Sequence, residues 1–122
     1  MPMLIVADDS MFQRFQSAKT AKEAGYEVIE AKDGAECLRL LREHHPDVLL
    51  LDLNMPDPGG VAVLEALAAE AAEIRVCVVT ADIQETTKAR CLELGARAFL
   101  NKPVDHDVLR RILADLLAEC GC

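Results

Sequence analysis

Short apolar runs and longer helical patterns alternate five times along this chain. That alternation limits the fold more than any other feature. The runs are Met3–Ala7, Tyr26–Glu30, Asp47–Leu51, Arg75–Val79 and Ala98–Leu100. Three of them are continuously apolar, which suits strands covered on both faces. Tyr26-Glu27-Val28-Ile29-Glu30 alternates apolar and polar side chains, the pattern of an edge strand. The order βαβαβαβαβα predicts a five-stranded parallel sheet, because parallel neighbours need a crossover and a helix supplies it. The fold class is therefore α/β, doubly wound, with helices on both faces of the sheet.

The helices carry their own punctuation. Asp33 precedes Gly34 and Glu36, an N-cap arrangement, and Cys37, Leu38 and Leu41 then share a face before Pro46. Val61, Leu64, Leu67, Ala68 and Ala71 form a second stripe. Val108, Leu109, Ile112, Leu113, Leu116 and Leu117 form the clearest one, with Asp105 ahead of it as N-cap. The first helix is the weakest. Ser10 and Gln13 make a capping box, but Met11, Phe12 and Phe15 are followed only by Ala18, Ala21 and Ala24.

At 122 residues the chain is one domain by size, and 52% apolar residues suffice for a single core. A net charge of −8 lacks the basic footprint that binds phosphate backbones, so no nucleic-acid partner is expected. Most of that charge reads as a solvated surface. The five cysteines are odd in number and contain no CxxC pair, which suits free thiols in a reducing, cytoplasmic setting. Cys120 and Cys122 read as part of a frayed tail rather than a soft-metal site. No export leader is expected, and no apolar run approaches the length of a membrane span.

Open parallel sheets gather functional groups beyond the carboxyl ends of their strands, near the switch in strand order. Here those ends offer Asp8, Asp9 and Ser10, then Asp52, then Thr80, Ala81 and Asp82, then Asn101, Lys102 and Pro103. In the common order 2-1-3-4-5, strands one and three are neighbours, which brings Asp8, Asp9 and Asp52 together. Three carboxylates in one crevice call for a hard divalent cation with oxygen ligands, and Mg²⁺ fits. Lys102 adds an ammonium and Thr80 a hydroxyl, which makes a place for a phosphoryl group. Asp52, alone at its strand end, is the best candidate nucleophile. Taken singly, each has an ordinary reading: Asp8 or Asp9 as a turn or cap, Lys102 as a loop lysine, Phe99 as a half-buried aromatic. Four strand ends each supplying a suitable group argue against that reading for the set.

The motifs "VADDS" at 6–10, "LLLDLNMPDPGG" at 49–60, "VVTA" at 78–81 and "FLNKP" at 99–103 resemble those of the receiver domains of two-component response regulators, especially the stand-alone, chemotaxis type. The resemblance covers residues 1–122 and implies a (βα)5 flavodoxin-like fold of strand order 2-1-3-4-5. It implies that Asp52 accepts a phosphoryl group from a phosphohistidine on a sensor histidine kinase or a histidine phosphotransfer domain. It implies Mg²⁺, with Mn²⁺ as an alternative, held by Asp8, Asp9, Asp52 and the backbone carbonyl of Asn54. Thr80 and Lys102 would bind the phosphoryl oxygens, and Thr80 and Phe99 would act as the switch pair. The surface of helix four, strand five and helix five would then meet a downstream protein, whose identity the sequence does not give.

Three features depart from the family pattern. The loop after Asp52 reads Met55-Pro56-Asp57-Pro58-Gly59-Gly60, with Gly59 where an acid is usual. Helix one has Gln13, Gln16 and Thr20 at positions that are commonly larger and apolar, so its packing is expected to be poorer unless a partner completes it. Asp82 stands two residues after Thr80, where an acid could influence attack of water on the phosphoryl group. Two other readings compete with a signalling switch. A phosphatase of the haloacid dehalogenase type usually has a second Asp where this chain has Asn54, and it carries a cap domain. A flavin carrier needs a different first loop and more stacking aromatics than Tyr26. A receiver-like module that acts without phosphorylation is a further alternative. The chain is expected to turn over no metabolite.

Overall fold

A computed structural model describes residues 2–56, 58–70 and 72–120, with only the backbone at residue 120. Five strands form one parallel sheet in the order β2-β1-β3-β4-β5. They are β1 (Met3–Ala7), β2 (Glu27–Ala31), β3 (Val48–Asp52), β4 (Arg75–Thr80) and β5 (Ala98–Asn101). The helices are α1 (Met11–Glu23), α2 (Gly34–His44), α3 (Gly60–Ala69), α4 (Glu85–Glu93) and α5 (His106–Cys120). Both the alternation and the strand order expected from the sequence are present. The strand ends differ slightly. β3 starts at Val48, just after Asp47, whose side chain accepts from Met3 N–H at 2.9 Å and whose own N–H donates to the Met3 carbonyl at the same distance. It ends at Asp52, which still pairs with Val79 of β4.

The period-2 alternation of the strands divides the core in two. Ile5, Ala7, Leu49, Leu51, Val76 and Val78 face α2, α3 and α4. Leu4, Val6, Val48, Leu50, Cys77 and Val79 face α1 and α5. β2 is an edge strand with a mixed burial pattern, as its alternating sequence requires. Tyr26 lies just before it, and its hydroxyl donates to the buried Leu113 carbonyl at 2.7 Å, fixing α5 to this end of the sheet.

The helix caps form as expected at Asp33, which accepts from Glu36 N–H at 2.8 Å, and at Asp105, which accepts from Asp107 N–H at 2.9 Å. Two apolar stripes are corrected. In α3 the buried residues are Gly60, Val63, Leu64 and Leu67, while Ala68 is exposed and Ala71 lies outside the described residues. The helix begins at Gly60, and its inward face is rotated so that a valine rather than an alanine meets the sheet. In α5, Val108 is exposed, and Leu109, Leu113 and Leu116 carry the packing.

α1 packs in the reverse of the usual sense. Ser17, Ala18, Thr20 and Ala21 are buried, whereas Met11, Phe12 and Phe15 are 75%, 70% and 65% exposed. Small inward residues let α1 lie close to the sheet. The Thr20 hydroxyl donates to the Gln16 carbonyl and meets His106 Nδ1 at 2.9 Å, so this buried polar group is satisfied. Of the polar residues that depart from the family pattern, Thr20 thus serves as a tie between α1 and α5.

Pro58 also finds a role. A Cβ at Gly34 would lie 1.8 Å from the Pro58 carbonyl oxygen, so the loop after β3 is seated on the first residue of α2. A backbone atom cannot swing aside as a side chain can. Gly34→Ala is therefore expected to lower stability by about 1–3 kcal/mol, as overpacking does. Urea unfolding of the two proteins measures it, and equal stabilities would mean that the loop moves freely.

Candidate functional site

Parallel register sets the geometry of the crevice. Ala7 of β1 is opposite Leu51 of β3, so the next residues, Asp8 and Asp52, leave the sheet side by side. Both are buried, with Asp52 only 3% exposed, and Asp9 is exposed beside them. One carboxylate oxygen from each of Asp8, Asp9 and Asp52 lies within 4.8 Å of the others. Hard oxygen donors at this spacing suit a small divalent cation, which satisfies charges that would otherwise repel.

The surrounding loops hold these acids in place. Asp52 Oδ1 accepts from Asn54 N–H at 3.0 Å, which folds Asn54 back over the acid. Asp8 Oδ1 accepts from Ser10 N–H at 2.9 Å. Gly60 reinforces the turn, since a Cβ there would sit 2.6 Å from Leu53 Cα and 2.7 Å from the Asp52 carbonyl oxygen. Lys102, 17% exposed at its side chain, reaches across the top of the sheet. Its Nζ lies 3.2 Å from Asp52 Oδ2 and 3.3 Å from Asp8 Oδ2, and it also donates to Gln13 Oε1. A cavity of about 330 Å³ opens beside this cluster and is bounded by Asp8, Asp52, Lys102, Phe12, Gln13 and His106 among others.

The electrostatics of Asp52 follow from this setting. Burial pushes its carboxyl above the usual value, the Asn54 N–H opposes that shift, the Asp8 charge adds to it and Lys102 opposes it. The net direction is upward. An acid at the end of an apolar strand, next to another acid, is thus held in a state that favours neutralisation.

Thr80, expected beside the acids, has its hydroxyl turned elsewhere. Thr80 is buried at the end of β4, but its Oγ1 accepts from Asp82 N–H at 3.1 Å. Among the described residues its hydroxyl makes no hydrogen bond to the side chains of Asp8, Asp52 or Lys102. Phe99, the expected switch aromatic, is partly buried against the α2–α4 side of the core. Asp82 also turns away. Its carboxylate accepts from Gln84 N–H and the Thr87 hydroxyl, both at 2.8 Å, and these bonds lower its pKa. In this arrangement the Asp82 carboxylate serves the entry to α4. Asp57 in the β3–α3 loop lies outside the described residues, as does Cys122.

Two further side chains at this site were not legible as such in the sequence. Arg14 donates to the Asp8 carbonyl at 2.9 Å and to Glu30 Oε1 at 3.0 Å, clamping the end of β1 to β2. Gln13 was expected to complete a capping box. The Ser10 half is present, with Ser10 Oγ accepting from Gln13 N–H at 3.3 Å. The Gln13 side chain goes to Lys102 instead, because Asp8 already takes the Ser10 N–H.

A family model described as "Response regulator receiver domain" matches residues 4–114. The chain belongs to the response regulator receiver family. Protein PilH of Pseudomonas aeruginosa is 33% identical over 120 residues, which cover 97% of this chain and 99% of PilH. Transcriptional regulatory protein PrrA of Mycobacterium tuberculosis is 37% identical over 118 residues, but the chain spans about half (48%) of that protein. Among solved structures, the receiver domain of the Francisella response regulator 1452 superposes with a TM-score of 0.92 at 27% identity, covering 98% of this chain and 99% of that one. Phosphoryl transfer in two-component signalling is the general business of this receiver family. No helix among the described residues is long and apolar enough to cross a membrane.

The upward shift at Asp52 has a stability consequence. A carboxyl whose folded pKa lies above its unfolded value of about 3.8 favours folding most when protonated, and that advantage is lost as pH rises through the folded value. Asp52→Asn, neutral at every pH, is expected to melt higher than the parent at pH 7 without metal. The gain should shrink as pH falls toward 4. Calorimetric melts of both proteins across that range test it; a parent that melts higher at pH 7 would mean that the Lys102 pairing outweighs burial.

Proposed function

We propose that this receiver is a phosphorylation switch whose acceptor is Asp52. The observation that carries the proposal is a buried acid at a strand end, between two other carboxylates and one ammonium. In the transfer, a carboxylate oxygen of Asp52 bonds to phosphorus as the phosphorus–nitrogen bond of a donor phosphohistidine breaks. The donor imidazole departs with that electron pair. Asp8, Asp9, Asp52 and the Asn54 carbonyl would hold Mg²⁺, or Mn²⁺ in its place. The bound ion would supply positive charge to the phosphoryl oxygens. Lys102 already points at Asp52 and supplies a second positive charge.

Thr80 is the group that must turn. Its hydroxyl now accepts from the Asp82 amide and can reorient toward an added phosphoryl oxygen. Its carbonyl accepts from Lys102 N–H at 2.8 Å and faces the Asn101 side-chain amide, so the β4–α4 and β5–α5 loops move together. Phe99, two residues before Asn101 in β5, repacks in response. The α4–β5–α5 surface is then the output face toward a downstream protein. The switch turns over no metabolite, works in the bacterial cytoplasm, and needs neither nucleic acid nor membrane.

The donor is a sensor histidine kinase or a histidine phosphotransfer domain. Its docking surface on this chain is the exposed apolar face of α1. Phe12 borders the cavity that reaches Asp52, and Met11 and Phe15 extend the same face outward. A donor seated there brings its imidazole to the acceptor while covering three large apolar side chains.

Two outcomes are expected. Acetyl phosphate with Mg²⁺ should add one phosphoryl group to the intact protein, by mass spectrometry, and none to Asp52→Asn or after EDTA; an adduct that persists in the variant would move the acceptor elsewhere. Phe15→Ser should slow transfer from a phosphorylated phosphotransfer protein by about tenfold, on the scale of a lost interface anchor. The same variant should leave labelling by acetyl phosphate unchanged. Equal loss with both donors would place the defect in the fold, not in docking.

A further inference from the structure

The Lys102 ammonium has three N–H donors, and its three acceptors come from three elements: Asp8 after β1, Asp52 at the end of β3 and Gln13 in α1. The two acids sit at 3.3 and 3.2 Å, longer than the roughly 2.7–2.9 Å of a tight charge-assisted bond. The third acceptor is a neutral amide, and nothing in its own helix claims it. The capping role that would have turned the Gln13 side chain toward Ser10 N–H is filled by Asp8. Gln13 is exposed at the rim of the cavity, which Phe12, Pro103 and Val104 line together with Gln16, Ser17 and His106.

We propose that Gln13 is a positioning residue for Lys102: its carbonyl oxygen draws the ammonium toward α1 and partly off the Asp8 and Asp52 carboxylates. The proposal rests on the reading of those carboxylates as a cation and phosphoryl site. With Gln13 in place, the ammonium shares its hydrogen bonds and leaves the acids open to a divalent cation. With an apolar side chain there, one N–H loses its protein acceptor at an exposed position and is left to water or to the two carboxylates. The ammonium then settles fully on the two carboxylates and competes with the cation for the same oxygens. A phosphoryl group on Asp52 offers the ammonium charged oxygens that the neutral Gln13 amide cannot match. Lys102 therefore leaves α1 on phosphorylation, and the first turn of that helix loses its tie to the β5–α5 loop.

The test uses Gln13→Met, which keeps length and helix propensity, and Gln13→Glu, which keeps an acceptor. Each is made in the parent and in Lys102→Ala. The Lys102 ammonium is observed by nitrogen-detected NMR in metal-free protein, and Mg²⁺ affinity is measured by calorimetry. Gln13→Met should shift the ammonium resonance and weaken Mg²⁺ binding about three- to tenfold, the worth of one hydrogen bond. Gln13→Glu should restore both. In the Lys102→Ala background Gln13→Met should change nothing, because its effect passes through the missing ammonium. An unmoved resonance overturns the proposal whatever the metal does. So does a loss of Mg²⁺ affinity that persists without Lys102, which would mean that Gln13 acts through helix packing. If the parent itself binds no Mg²⁺, the cation reading of the site fails, and the resonance alone decides the role of Gln13.

Discussion

Two carboxylates buried side by side are the constraint on which the upper end of this molecule depends. Asp8 and Asp52 are adjacent because β1 and β3 are adjacent, and both lie below the surface. Buried charge is costly unless it is paired and hydrogen-bonded. Each feature around the pair answers that cost. Main-chain amides of Ser10 and Asn54 turn toward the carboxylates, Lys102 arrives from the far side of the sheet, and Arg14 fixes the carbonyl of Asp8. Burial still wins at Asp52, whose carboxyl remains harder to ionise than a free one. The fold thus keeps in place a charge deficit that a cation or a phosphoryl group's partners can use.

The two faces of the sheet divide the remaining work. The face covered by α2, α3 and α4 holds most of the large aliphatic side chains and the half-buried Phe99. The face covered by α1 and α5 is joined partly by polar ties: Thr20 to His106, Tyr26 to Leu113 and Gln13 to Lys102. α1 therefore holds its position with little apolar area beneath it and turns its aromatics outward. That outward face is the one proposed to receive the phosphoryl donor. The loops after β4 and β5 are laced together through the Thr80 carbonyl, which joins the entries to α4 and α5.

The five-fold alternation, the parallel sheet and the edge position of β2 were legible in the sequence because hydrophobic periodicity is a local property. So were the caps at Asp33 and Asp105, which need only a carboxylate two or three residues before a free main-chain amide. The candidate acids were legible as well. A carboxylate directly after an apolar strand is conspicuous, and strand order then brings three of them together. The α3 stripe was misjudged by its alanines, since Ala is compatible with either face and carries little signal about which one is inward.

What the sequence by itself determined is the architecture and the set of polar groups at the strand ends, since both follow from spacing along one chain. Tertiary structure alone decided where those groups point. Gln13 read as a cap residue until Asp8 occupied its partner and Lys102 came within reach from residues 89 positions away. Asp82 and Thr80 read as crevice groups until the entry to α4 offered nearer donors. Pro58 stood in the sequence only as one residue of the loop after Asp52 until α2 brought Gly34 beneath it. In each case a short polar or small side chain had two competing partners, and the choice lay in distances between elements that no local pattern encodes.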